Sequence, residues 1–197
     1  YKFDSSFYYR LPGVAHGQAA SRKESKLSVA TDQILELANA RAGYCLVLGG
    51  VDGSLALELI RKSDLQVVVV EQDAARVQQI RATLDEAGVY GVRASVLEGS
   101  LDERFLGSML FNLIVSERHL LEGQLPAAGG AETLRFLVPG GGTVVLGPAG
   151  ELGQVQRWLG RAGSRLVRSD NGEARWLVYE RPQLAGAGEW THQYGNA

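Results

Sequence analysis

The sequence predicts an α/β protein with a doubly wound, mostly parallel sheet, and three observations carry this prediction. Short apolar, β-branched runs alternate with helical patterns for five rounds, as in parallel βαβ units. A glycine-rich turn follows the first run, and the acid Glu71 ends the second. Two later runs flank Asn171-Gly172, a strong hairpin signal, so the last strand is expected to be antiparallel.

Length and composition limit the kinds of function that the chain supports. Its 197 residues are enough for one domain with a buried core. A net charge of −2, from 20 basic and 22 acidic residues, gives no electrostatic case for nucleic acid as a partner. No apolar run approaches the roughly 20 residues of a membrane span. Cys45 is the only cysteine and is expected to be a buried thiol, and the 3 histidines lack metal-ligand spacing, so no metal site is predicted.

The stretch from Cys45 to Asp73 predicts a strand, a glycine turn, a helix and a second strand. The apolar run Cys45–Leu48 stops at two glycines, and the run Gln66–Val70 ends on Glu71. Glycines let the backbone approach a ligand, and the N-terminus of the following helix offers free N–H groups. A carboxylate at the tip of the second strand can accept hydrogen bonds from both hydroxyls of a ribose. We therefore expect a nucleotide site here.

Two other nucleotide-binding patterns fit this turn less well. A phosphate-cradling P-loop is excluded, because no Lys-Ser/Thr pair follows the glycines. The dinucleotide pattern GxGxxG, started at Gly49, requires glycine at the positions that Val51 and Ser54 hold. A nicotinamide enzyme is therefore the weaker hypothesis.

The remaining patterns place the other elements and divide the chain into three parts. Helical patterns cover 23–42, which Gly43 is expected to end, and 74–87, 131–137 and 151–162. Further strands are predicted at 92–97, 110–115, 143–146, 165–168 and 175–180. Residues 1–22 are interpreted as an N-terminal arm, 23–181 as the domain, and 182–197 as a tail or a linker to a further domain.

Five motifs in register resemble those of the class I S-adenosylmethionine-dependent methyltransferases, over roughly residues 25–181. They are the glycine motif at Cys45–Gly53, the ribose acid Glu71, the adenine-contacting pair Ser100-Leu101, FNLIVSE at Phe111–Glu117 and LVPGG at Leu137–Gly141. The resemblance implies a Rossmann-like seven-stranded sheet, mostly parallel with an antiparallel C-terminal hairpin strand and helices on both faces. It also implies S-adenosylmethionine or S-adenosylhomocysteine as the cofactor.

The resemblance also implies a set of site residues and a reaction. The expected cofactor-binding residues are Gly49, Gly50, Gly53, Glu71, Gln72, Ser100, Leu101 and Ser116. The segment Ser116–His119 lies where methyltransferases place groups that face the substrate. His119 is a weak candidate for a general base, since an ordinary histidine titrates near pH 6.5. The catalytic residue is otherwise unknown, and the methyl acceptor is a small molecule or an unidentified partner.

Several positions depart from the family pattern. Val47 and Asn112 stand where the family carries acids in the first and fourth strands, and Ser100 replaces the acid after the third. Val51 replaces the middle glycine of the turn, and Asp52 is a candidate to replace one missing acid. These departures support the alternative hypothesis, a non-catalytic nucleotide-binding or structural module within a larger multidomain protein.

Two weaker resemblances concern the turn and the tail. The turn Gly49–Gly53 resembles the GGGDG turn of the spermidine-synthase branch, but Ser116–His119 lacks the aspartates of that branch. The tail Gly186–Ala197 resembles the entry to a quinoprotein-type β-propeller, and the chain begins at Tyr1 rather than at methionine. The tail and the first residue together predict that the chain is a segment of a longer protein, and the other domains of that protein are expected partners. The compartment is unknown, and a need for S-adenosylmethionine favours the cytoplasm.

Overall fold

The computed structural model of the chain describes residues 21–101, 106–126, 129–147, 152–160, 165–168 and 175–186. Three predicted features lie outside these ranges: residues 1–20 of the N-terminal arm, the Asn171-Gly172 turn and the propeller-like tail from residue 187 onward. Within the described ranges, no helix is both long enough and apolar enough to span a bilayer.

Helices and strands alternate as the sequence predicts. The helices are α1 Ser21–Ala38, α2 Ser54–Lys62, α3 Ala74–Glu86, α4 Glu117–Glu122, α5 Gly130–Thr133 and α6 Leu152–Leu159, and a 3-10 turn covers Leu134–Phe136. The strands are β1 Ala42–Leu48, β2 Asp64–Glu71, β3 Ala94–Glu98, β4 Leu113–Ser116, β5 Thr143–Leu146, β6 Arg165–Arg168 and β7 Arg175–Glu180.

All seven strands form one sheet in the order β3-β2-β1-β4-β5-β7-β6. The first five strands in chain order pair in parallel, and β7 pairs antiparallel with both β5 and β6. The predicted doubly wound sheet and its antiparallel C-terminal hairpin are therefore confirmed. The strand order reverses between β1 and β4, and ligands of such sheets bind at the carboxyl ends of the strands at this point.

Two apolar clusters cover the two faces of the sheet. Cys45 and Val47 of β1 pack into one cluster with α1, α2 and α3, while Leu46 and Leu48 pack into the other. This division follows from the alternation of side chains along a strand. Cys45 is fully buried, as predicted, and burial strongly raises the pKa of its thiol.

The first helix ends earlier than predicted, and Gly43 has a different role. The chain leaves α1 at Ala38, because Asn39 adopts a left-handed φ of 48°, and β1 has begun by Gly43. The backbone of Gly43 has a φ of 97°, and a Cβ there would lie 2.1 Å from Oδ1 of Asn112. That oxygen accepts a 3.0 Å hydrogen bond from the N–H of Tyr44. Asn112, directly before β4, thus joins this strand to β1.

The region after the fourth strand also differs from the prediction. The strand begins at Leu113 rather than at Leu110 and runs directly into α4, which the sequence patterns did not predict. The hydroxyl of Ser116 accepts a 3.1 Å hydrogen bond from the N–H of His119 and so caps this helix. The helix predicted at 131–137 divides into α5 and the 3-10 turn.

Candidate functional site

The glycine turn between β1 and α2 depends on its glycines for two different reasons. Gly49 and Gly53 have φ values of 62° and 83°, a conformation that favours glycine. Gly50 is needed for space, because a Cβ there would lie 2.4 Å from Cδ1 of Ile80 and 2.9 Å from Cγ1 of Val69. Val51 keeps a φ outside the positive range, so this turn accepts a β-branched residue at its centre.

A buried carboxylate from the other side of the strand-order reversal holds this turn. Glu117 is fully buried, and its Oε2 accepts hydrogen bonds from the N–H groups of Val51 at 2.6 Å and Gly53 at 3.2 Å. Its Oε1 accepts from the N–H of Leu55 at 2.8 Å and from the Ser54 hydroxyl at 3.4 Å. The negative charge therefore lies at the N-terminus of α2, where free N–H groups and the helix dipole favour it.

Glu117 was expected to belong to a segment facing the substrate, and the structure contradicts this for Glu117. The side chain points into the protein and is part of the turn's own support. Burial raises the pKa of Glu117 and is the largest influence on it, while the N–H groups of Val51, Leu55 and Gly53 oppose the rise. Because the three backbone N–H groups among these contacts can only donate, the ionised carboxylate is the form that satisfies them.

Glu71, at the end of β2, is the second buried acid of the region and has 2% of its surface exposed. Its Oε1 accepts hydrogen bonds from the N–H groups of Gln72 and Asp73, both at 2.9 Å. Its Oε2 accepts from Nη2 of Arg118 at 2.6 Å, which makes an ion pair. One oxygen therefore fixes the turn that follows β2, and the other faces a cation.

A crevice at the carboxyl ends of the central strands collects most of the predicted cofactor residues. It is lined by Leu48, Gly49, Val70, Glu71, Gln72, Gly99, Ser100, Leu101, Arg118 and Pro126. The turn after β1, the end of β2 and the turn after β3 thus meet at one place, as the topology requires. The crevice holds about 40 Å³ of water-accessible space, enough for a few water molecules.

Three predicted cofactor residues do not line this crevice. Gly50 packs under Ile80, Gly53 precedes α2, and Ser116 is buried as the cap of α4. All three shape the turns around the crevice. Conversely, five lining residues were not predicted to bind cofactor, although Arg118 belongs to the predicted substrate-facing segment: Leu48, Val70, Gly99, Arg118 and Pro126. A role for Arg118 in the crevice could have been predicted from its position, because it is a cationic residue two positions beyond β4, where the strand order reverses.

His119 is buried in α4 with 4% of its surface exposed, and it is not among the residues that line the crevice. Its Nδ1 has no hydrogen-bond partner among the residues that the structure describes. Burial lowers the pKa of His119, so the imidazole is neutral in the folded protein near neutral pH. The surroundings are those of an interior side chain.

The lowered pKa of His119 predicts a pH-dependent stability. His119 binds a proton near pH 6.5 in the unfolded chain and only at lower pH in the folded chain. Its contribution to the free energy of unfolding is therefore fully present above pH 6.5 and is lost as the pH falls through the pKa of His119 in the folded protein. Below pH 6.5, the free energy of unfolding should fall more steeply for the wild type than for His119→Leu, by up to about 1.4 kcal/mol per pH unit. Urea unfolding between pH 5 and pH 8 measures both slopes, and parallel curves would contradict the prediction.

In the described part of the chain, no three His, Cys, Asp or Glu side chains are grouped closely enough to hold a metal ion. The polar groups of the crevice are instead a carboxylate, a guanidinium, a hydroxyl and backbone amides. These groups recognise hydroxyls and amide-like nitrogens, as found in a nucleoside.

No protein-family model matches the sequence, and no curated protein matches it. Solved structures do match. A candidate S-adenosyl-L-methionine-dependent methyltransferase from Methanococcus maripaludis has a TM-score of 0.68 at 14% identity, over 87% of this chain and 99% of its own. An RNA methyltransferase from Salinibacter ruber, in complex with S-adenosyl-L-homocysteine, has a TM-score of 0.58 at 21% identity, over 87% and 95%. A SAM-dependent methyltransferase from Aquifex aeolicus has a TM-score of 0.57 at 16% identity, over 80% and 97%.

These likenesses agree with the sheet order, the antiparallel hairpin and the placement of the glycine turn. The chain therefore has the fold of the class I S-adenosylmethionine-dependent methyltransferases.

Proposed function

We propose that the crevice binds S-adenosylmethionine and its product S-adenosylhomocysteine. One observation carries this proposal: a buried carboxylate, Glu71, faces the same crevice as the glycine turn at Gly49 and the pair Ser100-Leu101. These groups come from the ends of three neighbouring parallel strands, at the place where the strand order reverses. The fold likeness supports the same ligand, because one of the similar structures contains S-adenosyl-L-homocysteine.

The five predicted cofactor residues that line the crevice each have a proposed contact with the cofactor. Glu71 accepts hydrogen bonds from the ribose hydroxyls through Oε2, the oxygen that is not used by the following turn. Ser100 hydrogen-bonds the adenine, and Leu101 packs against its ring. The backbone at Gly49 approaches the 5′ side of the nucleoside, since glycine has no side chain of its own. Gln72 lines the outer edge.

Gly50, Gly53 and Ser116 contribute indirectly in this proposal. Gly50 and Gly53 give the turn its shape, and Ser116 fixes the start of α4. Glu117 accepts hydrogen bonds from N–H groups of the same turn, so the turn keeps its form although position 47 holds valine and not an acid.

The reaction we propose is methyl transfer to an acceptor that is a small molecule or a macromolecule. Held by Gly49, Glu71, Ser100 and Leu101, S-adenosylmethionine would supply an activated methyl group for the acceptor's nucleophile, with S-adenosylhomocysteine as the leaving group. The protein's contribution is to hold the cofactor so that the methyl group faces the acceptor, since positioning alone can supply much of such an acceleration. His119 has no place in this proposal, because it is buried away from the crevice.

A second candidate function is a nucleotide-binding or structural module without catalysis. The observation that favours it is the state of the crevice: Arg118 pairs with Glu71, and only about 40 Å³ is open to water. Sites for small ligands usually enclose some 300–1,000 Å³. This candidate predicts either nucleoside binding without transfer or no binding at all.

Calorimetric titration of the wild-type protein with S-adenosylmethionine, S-adenosylhomocysteine and NAD tests the proposal. We expect both sulfur nucleosides to bind with a stoichiometry of one, and NAD to give no heat. Labelled S-adenosylmethionine with a panel of acceptors would then separate an enzyme from a binding module. A folded protein that binds neither sulfur nucleoside would contradict the proposal and leave the structural module.

A further inference from the structure

We propose that Arg118 is an internal competitor of the cofactor, which sets affinity by occupying the carboxylate that the ribose needs. This inference rests on the proposed function and deepens it. In the form described here, Nη2 of Arg118 lies 2.6 Å from Oε2 of Glu71. That oxygen is the one left free by the turn after β2, so the guanidinium stands at the position that we assign to the ribose hydroxyls.

The side chain of Arg118 extends across the crevice, from the glycine turn to Glu71. The N–H of Arg118 donates a 2.8 Å hydrogen bond to the carbonyl of Gly49, which anchors the residue beside the glycine turn. A Cβ at Gly49 would lie 3.2 Å from Cβ and 3.5 Å from Nε of Arg118, so the side chain crosses this glycine closely. From there it reaches Glu71. A nucleoside lying between the turn and the acid would therefore meet the Arg118 side chain along its length.

The pairing of Arg118 is incomplete, which makes it displaceable. Only one guanidinium nitrogen contacts Glu71, and the buried Nε has no hydrogen-bond partner among the described residues. A two-point pair would hold the guanidinium more firmly. The side chain of Arg118 is 24% exposed, whereas that of Glu71 is 2% exposed. The arginine can therefore turn outward into water, while the glutamate stays where the following turn holds it.

This arrangement divides the protein into a closed form, with the pair made, and an open form that binds the nucleoside. The apparent affinity equals the affinity of the open form multiplied by the fraction of protein in that form. If about one molecule in ten is open, removing the cation raises affinity about tenfold. Added salt is also expected to raise the affinity, because ionic strength weakens a partly exposed ion pair.

Calorimetry with adenosine and with S-adenosylhomocysteine tests the inference on the wild type, on Arg118→Met and on Arg76→Met. Adenosine is uncharged, so salt acts on the protein's pair and not on the ligand. Arg76 is the matched control, since it pairs with Glu122 at 3.2 Å and does not line the crevice.

We expect Arg118→Met to bind both ligands about tenfold more tightly than the wild type, and Arg76→Met to bind them equally. Raising NaCl from about 0.02 M to 0.5 M should tighten adenosine binding to the wild type and leave Arg118→Met unchanged. The salt series on the wild type gives an answer even if a variant fails to fold.

Equal or weaker binding by folded Arg118→Met would overturn the inference and make Arg118 a bystander or a ligand contact. In that case the wild type still binds, so the proposed function stands. If no folded form binds either nucleoside, the proposed function fails, and the inference fails with it. Binding by Arg118→Met alone would support both.

Discussion

Replacement of Glu117 by alanine is expected to lower the free energy of unfolding by about 3–5 kcal/mol. The carboxylate accepts three backbone N–H hydrogen bonds, from Val51, Gly53 and Leu55. Each donor left buried without a partner costs about 1–3 kcal/mol. The substitution also removes the negative charge from the N-terminus of α2 and leaves a space where the side chain was. Urea unfolding monitored by circular dichroism measures the change.

Glu122→Ala is the matched control for this prediction, because it removes the same side chain from the same helix. Glu122 pairs with Arg76 at 3.2 Å near the surface, and such pairs contribute about 0–1 kcal/mol. We expect the control to change stability by less than about 1 kcal/mol. If the two substitutions destabilise the protein equally, Glu117 does not hold the turn as described.

Replacement of Glu71 by alanine is expected to weaken the binding of S-adenosylhomocysteine at least tenfold, or about 1.4 kcal/mol. The variant loses a charged acceptor for the ribose hydroxyls, and a hydrogen bond to a charged group contributes about 1.5–3 kcal/mol. Part of this loss is offset, because the competing pair with Arg118 disappears as well. In the Arg118→Met background the same substitution should therefore weaken binding more than it does in the wild type. Calorimetry on the four proteins measures this difference.

Glu98→Ala is the control for Glu71→Ala. Glu98 ends the neighbouring strand β3 and is the register partner of Glu71, but it is exposed and does not line the crevice. We expect its removal to leave the affinity unchanged. Equal affinity of Arg118→Met with and without Glu71→Ala would mean that the ribose binds elsewhere, because the competing pair is absent from both proteins.

The sheet and the position of the crevice were predictable from sequence, because both follow from local patterns. Apolar runs with glycine or polar ends mark parallel strands, and the turn after β1 and the acid after β2 must meet at one sheet edge. Five of the eight residues predicted to bind cofactor line the crevice. They lie directly after strands β1, β2 and β3, where chain position alone fixes their location.

The direction of the side chains after β4 was not predictable in the same way. Glu117 contacts residues more than 60 positions earlier in the chain, and Arg118 contacts Glu71 47 positions earlier. No local pattern states which of two adjacent charged residues turns inward. The start of α4 decides it, and this helix has only six residues, too few for a helical periodicity to be recognised.

For two departures from the family pattern, the structure shows contacts that the sequence patterns did not indicate. Val47 lacks the acid of the first strand, yet the turn keeps a carboxylate partner in Glu117. Asn112 lacks the acid of the fourth strand, yet its amide oxygen joins β4 to β1 beside Gly43. The missing acid of the first strand therefore does not leave the turn unsupported.

The most direct test of the central claim is a titration of the ¹⁵N-labelled wild-type protein with S-adenosylhomocysteine, followed by the backbone amide resonances. We expect saturable shifts at Gly49, Gln72 and Leu101, the amides that surround the crevice. A spectrum that does not change at millimolar ligand would contradict this claim. Shifts confined to the separate groove lined by Tyr179 and Arg181 would contradict it equally.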